Sequence, residues 1–219
     1  VLSLMLEGFS YKDIADICQQ LGIVLVHLSD NNVFAHQEGE VFKEDDEPKP
    51  QTERGVLTYE SEQTIRQRIK HHLILRVGWL FSTEGEDDVT HLLALARKNE
   101  ELRLSDSKSM CPTSACDVEF VMIEMVKQSR FADLWGVYHY CSAEQTTLFK
   151  FAEVVVAEAR QHEELAVNDI VADAGSDMNK QFAETTPKLV TKKILYTFGI
   201  KPKPWRPSLT RVLTRRYKS

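Results

Sequence analysis

The spacing of apolar residues changes repeatedly along the chain, and each change marks an element. Ile14, Ala15, Ile17, Cys18 and Leu21 recur at helical spacing. They predict a helix over 11–21, with Ser10 as its cap and Gly22 as its stop. Residues 23–28 form a short continuous apolar run, the pattern of a strand buried on both faces, and 73–77 form a second. The polar, acidic, proline-containing segment 35–50 reads as a loop. Tyr59, Ile65 and Ile69, set among charges, predict a partly exposed helix over 59–70. His71 and His72 precede the second strand and are expected at a surface turn. Val89, Leu92, Leu93, Leu95 and Ala96 predict an amphipathic helix over 87–99, and 102–104 alternates as a strand does.

Beyond Cys111, Pro112 and Thr113 read as a turn, with Thr113 or Ser114 capping a helix over 115–128. A brief strand over 137–140 and a long amphipathic helix over 146–160 follow. A strand is expected over 170–172 and a loop over 174–180. Pro187 suits a helix first turn, so a helix is expected to run from there through 188–198 to Gly199. Pro202, Pro204 and Pro207 are expected to delay regular structure until a last helix over 208–215. Helix then buried strand, repeated, predicts an α/β fold with a parallel sheet. Past Cys111 the strands shorten and the helices lengthen, which suggests a smaller, mixed second lobe.

Charge and composition narrow the classes. The net charge is −6, but 185–219 carries ten of the 27 Lys and Arg and none of the 33 Asp and Glu. A basic tail can mark a nucleic-acid module. No zinc-finger or RNP-type motif accompanies it, so a cationic surface over an anionic ligand or an acidic neighbouring surface is the preferred reading. Residues 17–29, the longest uncharged apolar stretch, fall short of a membrane span. Leu2–Leu6 lacks the preceding basic region of a signal peptide, and a cytoplasmic location is expected. Cys18, Cys111, Cys116 and Cys141 are expected as reduced thiols. Cys111 and Cys116 are too widely spaced for the usual zinc pairs, so no metal site is expected. Val1 reads as an internal residue of a longer chain.

Several motifs follow one another in a telling order. They are LVHLSDNNVF at 25–34, ILRVGWLF at 74–81, PTSACD at 112–117, GVYHY at 136–140 with Phe149–Ala152, and LYTFGIKPKPWR at 195–206. This order resembles the dTDP-4-dehydrorhamnose reductases, the RmlD-type sugar-nucleotide-binding family of the extended short-chain dehydrogenases/reductases. The resemblance covers nearly the whole chain. It implies a Rossmann-like parallel sheet with a smaller C-terminal substrate lobe. It assigns 1–110 to the later part of a dinucleotide-binding domain and 111–219 mainly to the substrate lobe, some segments returning to the main sheet. Such reductases begin with a strand and a GxxGxxG turn that holds the cofactor pyrophosphate. The nine glycines here include no such group, so the cofactor-binding residues are unknown, and the N-terminal strands are expected to be missing.

The family resemblance also implies a chemistry. Its members reduce a keto group on a nucleotide-linked sugar with hydride from NAD(P)H. A Tyr supplies the proton, a Lys four residues later tunes it and holds the nicotinamide ribose, and a Ser or Thr orients the carbonyl. Here the Ser/Thr position falls on Asp30, or on Ser29 with a one-residue shift. The following Asp and Tyr become Asn31 and Asn32. Arg54 and Thr58 stand where the Tyr and Lys of the reductases should be, and a guanidinium cannot donate a proton near neutral pH. Tyr59 is the alternative proton donor, but Gln63 follows it instead of Lys. Trp79 aligns with the aromatic that packs on the sugar, Pro112 and Thr113 with the turn near the nucleotide, and Lys203 and Arg206 could approach a pyrophosphate. The family's ligand loop before Pro112 has drifted to Ser107–Met110. Arg76 is buried by pattern and is expected to pair with an acid.

The leading expectation is an altered, catalytically impaired relative that binds a nucleotide or nucleotide-sugar, with NAD(P) as the cofactor class. The alternatives are an active NAD(P)H-dependent reductase of a 4-keto-6-deoxy sugar nucleotide, and a structural or assembly scaffold. A homo-oligomer or a protein partner is compatible with each.

Overall fold

The computed structural model describes residues 10–35, 39–107, 109–182 and 187–218. In chain order its elements begin with α1 (Tyr11–Leu21), β1 (Leu25–Asp30), β2 (Val41–Phe42), α2 (Glu53–Arg68) and β3 (His72–Val77). Then come β4 (Leu80–Phe81), α3 (Asp88–Lys98), β5 (Glu101–Leu104), β6 (Ser109–Met110), β7 (Thr113–Ser114), α4 (Ala115–Ser129) and β8 (Gly136–Tyr140). The last are β9 (Thr146–Thr147), α5 (Leu148–Ala159), β10 (Asp169–Ala172), β11 (Lys188–Leu189), α6 (Lys192–Phe198) and α7 (Trp205–Arg216). The chain divides into two compact units. One holds Val1–Gly78, Val118–Cys141 and Pro187–Pro202; the other holds Trp79–Asp117, Ser142–Thr186 and Lys203–Ser219.

The first unit is built on a three-stranded parallel sheet of order β1–β3–β8. Leu25 pairs with His72, and Leu73 with Gly136. Parallel neighbours need crossover helices, and α2 and α4 lie between these strands in the chain. The helix ends follow the chemistry of the sequence. Ser10 and Asp13 form a reciprocal capping box at α1, and Gly22 closes it in the left-handed region at φ 62°. Ala15, Ile65, Ile69, Ile74 and Val137 form a compact apolar cluster. The short pair β2–β11 completes the unit.

The second unit has its own core. Phe81, Val89, Leu92, Leu102, Leu148, Phe151, Val155, Trp205 and Leu209 are sealed within it. β5 and β10 pair in parallel, as do β4 and β7, while β6 and β9 are antiparallel. Asp87 caps α3 through the Thr90 N–H and also accepts the Ser82 N–H at 2.8 Å. Arg216 closes this corner by donating to Asp87 and to the Ser82 carbonyl at 2.7 Å each.

Several expectations need correction. α2 begins at Glu53, not 59, because Thr52 caps the Gly55 N–H at 3.0 Å, a start set by a polar side chain that apolar spacing does not register. The loop expected over 35–50 contains β2. Thr113 lies in β7, not in a turn, and its hydroxyl donates to the Cys111 carbonyl. Pro187 leads into β11, not into a helix, and α6 starts only at Lys192. Thr146 and Thr147 form β9 ahead of α5, with Thr147 as the cap. Pro207 sits inside the first turn of α7, where its missing N–H costs nothing. His72 is the first residue of β3, not part of a turn. Residues 177–181 form a short 3-10 turn inside the expected loop. Lys108 of the drifted loop lies outside the described residues.

Among the described residues no helix is long and apolar enough to cross a membrane, and no group of His, Cys, Asp and Glu could hold a metal ion.

One glycine is demanded by contact. A Cβ on Gly55 would stand 2.3 Å from the Asn32 carbonyl oxygen and 3.1 Å from Pro50 Cβ. The first turn of α2 must therefore ride directly on the backbone that follows β1. Gly55→Ala is expected to destabilise the chain by about 2 kcal/mol or more in urea unfolding. Gly175→Ala, where the added Cβ would meet the Asp173 side chain at an ordinary 3.5 Å, serves as the mild control.

Candidate functional site

In open parallel sheets ligands gather at the carboxyl ends of the strands. Here those ends carry Ser29 and Asp30 on β1, Arg76 on β3 and His139 on β8, with Ser29, Arg76 and His139 in one register row. Residues in one row point to the same face, so these three side chains converge.

Ser29 and Arg76 meet Glu62 of α2, and His139 meets Arg76. Arg76 donates to Glu62 through Nε at 2.9 Å and Nη2 at 2.7 Å, and the Ser29 hydroxyl donates at 2.5 Å. Arg76 is 1 % exposed and Glu62 is 0 % exposed, so the expected acidic partner of Arg76 is a carboxylate sealed from water. The Phe34 ring lies 5.0 Å from the guanidinium carbon, and Phe42 stacks on Phe34 at 4.4 Å. His139 Nε2 lies 3.4 Å from Arg76 Nη1, and its backbone N–H donates to Glu44 at 3.1 Å. Burial, reinforced by the Arg76 charge, pushes His139 down to about 3, so it stays neutral. Burial pushes Glu44 up and, nearby, His27 down. His27 Nε2 meets Ser61 Oγ at 3.0 Å. Ser29 is thus fully engaged inside this network.

Asp30 lies just outside the network. One carboxylate oxygen caps the turn that follows β1 by accepting the Asn32 N–H at 2.9 Å. The other pairs with Arg54, 3.1 Å from Nη2 and 3.2 Å from Nε. The Thr58 hydroxyl donates back to the Arg54 carbonyl at 2.9 Å. Tyr59 points elsewhere, its hydroxyl accepting from Gln63 one turn on. The structure therefore brings Asp30, Arg54 and Thr58 into one chain of contacts. Tyr59 meets an uncharged amide.

The remaining site residues belong to the second unit. Trp79 is half-buried, edge-on to Phe151 at 4.9 Å, and its indole N–H donates to Asp88. Burial raises the Asp88 carboxyl, and the indole hydrogen bond opposes that rise. Pro112 and Thr113 are buried, and the Thr113 N–H donates to the Trp79 carbonyl at 2.7 Å. Lys203 donates to Asp117 at 2.9 Å, and Ser208 donates to the other oxygen of Asp117 at 2.6 Å. Arg206 pairs with Glu144 and lies over the Trp205 ring at 4.4 Å. Both cations expected at a pyrophosphate thus already hold carboxylates. Sequence reasoning missed Glu62 and Asp117, since a lone acid in a charged helix carries no signal of burial.

A sequence model of the RmlD substrate binding domain matches residues 4–218. The chain belongs to that family. Similar relatives are dTDP-4-dehydrorhamnose reductases. That of Sinorhizobium fredii is 28% identical over 205 residues, covering 91% of this chain and 69% of the relative. That of Escherichia coli K12 is 25% identical over 222 residues, covering 95% and 71%. Among solved structures, the Bacillus anthracis dTDP-4-dehydrorhamnose reductase in complex with NADP has a TM-score of 0.78 at 22% identity. It covers 93% of this chain and 69% of its own. The Clostridium acetobutylicum orthologue has a TM-score of 0.77 at 20% identity, covering 93% and 70%. This family membership places the chain among dTDP-4-dehydrorhamnose reductase-like sugar-nucleotide proteins with a Rossmann-like α/β fold.

Two predictions follow from the network. Glu62→Gln removes one charge of a buried pair and is expected to cost about 3–5 kcal/mol in denaturant unfolding, against about 1 kcal/mol for Ser29→Ala. The second concerns pH. The unfolded chain takes a proton at His139 near pH 6.5, while the folded chain refuses it down to about 3. The contribution is whole above pH 6.5 and is lost as pH falls from there toward 3. Between pH 7 and pH 5 the parent chain is expected to lose about 2 kcal/mol more than a His139→Asn variant, read from urea midpoints.

Proposed function

We propose that this chain is a divergent sugar-nucleotide reductase relative that has lost the proton-donating machinery and still binds a nucleotide or nucleotide-sugar. One observation carries the reading. The positions of the family's carbonyl-orienting hydroxyl and proton-donating Tyr hold Asp30 and Arg54, paired at 3.1 Å. A guanidinium has no proton to give at working pH, and a carboxylate repels the alkoxide that hydride transfer would create. Each replacement alone would leave an uncompensated charge at the end of β1, and together they neutralise one another. Ser29, which a one-residue shift puts at the hydroxyl position, already donates to Glu62.

The cofactor class implied by the family fits these residues poorly. Thr58 stands where a Lys would hold the nicotinamide ribose, and it is a short neutral hydroxyl committed to the Arg54 carbonyl. Family membership across 4–218 and the activity named for the relatives support the nucleotide-sugar as ligand class. Residues 1–110 are proposed as the later part of a dinucleotide-binding domain and 111–219 mainly as the substrate lobe, with some segments returning to the main sheet.

NAD(P)H oxidation with a dTDP-4-keto-6-deoxy sugar is the direct test, followed by absorbance. Turnover is expected to be absent, while calorimetry with a dTDP-sugar detects binding. Steady oxidation, abolished by Tyr59→Phe, would overturn the proposal and restore an active reductase. Neither turnover nor binding would also overturn it, leaving the fold as a scaffold.

A further inference from the structure

The short pair β2–β11 crosses the carboxyl end of the β1–β3–β8 sheet. The three strands are parallel, so all of them finish on the same side. Just past β1, the Asn31 side-chain N–H donates to the Pro187 carbonyl at 2.9 Å. Just past β8, the Cys141 thiol donates to the Leu189 carbonyl at 3.7 Å. Asn31, Cys141 and Leu189 are all buried. β1 and β8 flank β3 and so stand about 10 Å apart, two strand spacings. Pro187 to Leu189 covers about 7 Å of that as extended chain, and the two side-chain arms span the rest. The Val190 N–H donates to the Phe42 carbonyl at 2.8 Å, which carries the β2–β11 pairing one residue further. Phe42 stacks on Phe34, and Phe34 meets the His139 ring nearly at right angles.

The fastenings of this pair run through side chains. Two are the Asn31 amide and the Cys141 thiol. A third is Glu44, just past β2, which accepts the His139 N–H at 3.1 Å. The fourth is Lys193, just past β11, which donates to the Val137 carbonyl at 2.9 Å. None of the four is a bond of the β1–β3–β8 ladder. All four can therefore break while the sheet keeps its own backbone pairing. A two-residue pairing held by a few side chains belongs to the low-stability end of a fold.

We infer that β2 and β11 form a strap that closes the carboxyl end of the sheet and opens as a unit while β1, β3 and β8 stay paired. Ligands of open parallel sheets gather at that end, so the strap gates the approach to Arg76 and His139. The inference does not depend on whether the protein binds a nucleotide-sugar.

Cys141 is tied to the strap and reports its opening. The 219-residue chain is alkylated with iodoacetamide at about pH 8, close to the ordinary thiol pKa, and read cysteine by cysteine by peptide mass spectrometry. Cys141 is expected to react at a rate that hardly changes with urea below the unfolding midpoint, because a local opening exposes little surface. Asn31→Ala and, separately, Glu44→Ala are each expected to raise that rate about fivefold, the effect of one hydrogen bond. The rate at Cys111, buried in the second unit, is expected to stay unchanged. Glu44 is only half-buried, so its variant carries the test if Asn31→Ala does not fold. A Cys141 that reacts only as urea unfolds the whole chain would overturn the inference, and that reading needs no variant. So would variants that leave the Cys141 rate unchanged, or that speed Cys141 and Cys111 alike.

Discussion

Arg76 and Glu62 are the constraint around which the first unit is arranged. Taking a guanidinium and a carboxylate out of water costs several kcal/mol per ion, and attraction alone does not reliably repay it. Here the geometry offsets that cost. Glu62 accepts three donors, two from Arg76 and one from Ser29, at 2.5 to 2.9 Å. The Phe34 ring offers its electron-rich face to the guanidinium. The pair fixes more than itself, because Glu62 rides on α2, Arg76 on β3 and Ser29 on β1. Holding all three at hydrogen-bond distance sets how α2 lies over the sheet. That placement drives the first turn of α2 onto Asn32, where only glycine fits. It also leaves His139, beside a fixed positive charge and sealed from water, as a neutral imidazole.

The same placement shapes the functional residues. With α2 docked in this way, Arg54 reaches the end of β1 and meets Asp30, so two neighbouring replacements neutralise each other instead of leaving stray charge. An exposed pair of this kind contributes little stability, and Arg54 is largely in solvent. Under the function proposed above its meaning is chemical, since there it takes the place of a hydroxyl and a phenol with groups that neither orient a carbonyl nor supply a proton. Electrostatic matching recurs in the second unit, where part of the basic tail is answered from within. Lys203 and Arg211 face Asp117, Arg206 faces Glu144 and Arg216 faces Asp87. For these four of the ten cations, what reads as an anion-binding surface is structural neutralisation.

The legibility of this chain was uneven for physical reasons. Ser10, Gly22 and Gly199 announced helix ends because capping is settled within a few residues of backbone. The apolar runs at 23–28 and 73–77 announced buried parallel strands because such strands have no wet face. Thr52 was overlooked because the first turn of α2 has no apolar stripe to mark it. Pro187 and Thr113 were misplaced because a two-residue strand exists only through its partner, Val41 for Lys188 and Leu80 for Thr113. A partner far away in the chain leaves no local trace.

The division between the two sources of information follows from range. The sequence alone determined the α/β class, most helix and strand cores and the family, since these are matters of residue type and near-neighbour spacing. Tertiary structure alone decided which charge meets which. Arg76 found Glu62 across 14 residues, Arg54 found Asp30 across 24, and Lys203 found Asp117 across 86. Each choice rests on helices and strands being packed to within about 3 Å, and many carboxylates in the sequence could have answered each cation. Whether a charged residue waits for a ligand or is already neutralised by its own chain is a property of distance, which only the folded chain possesses.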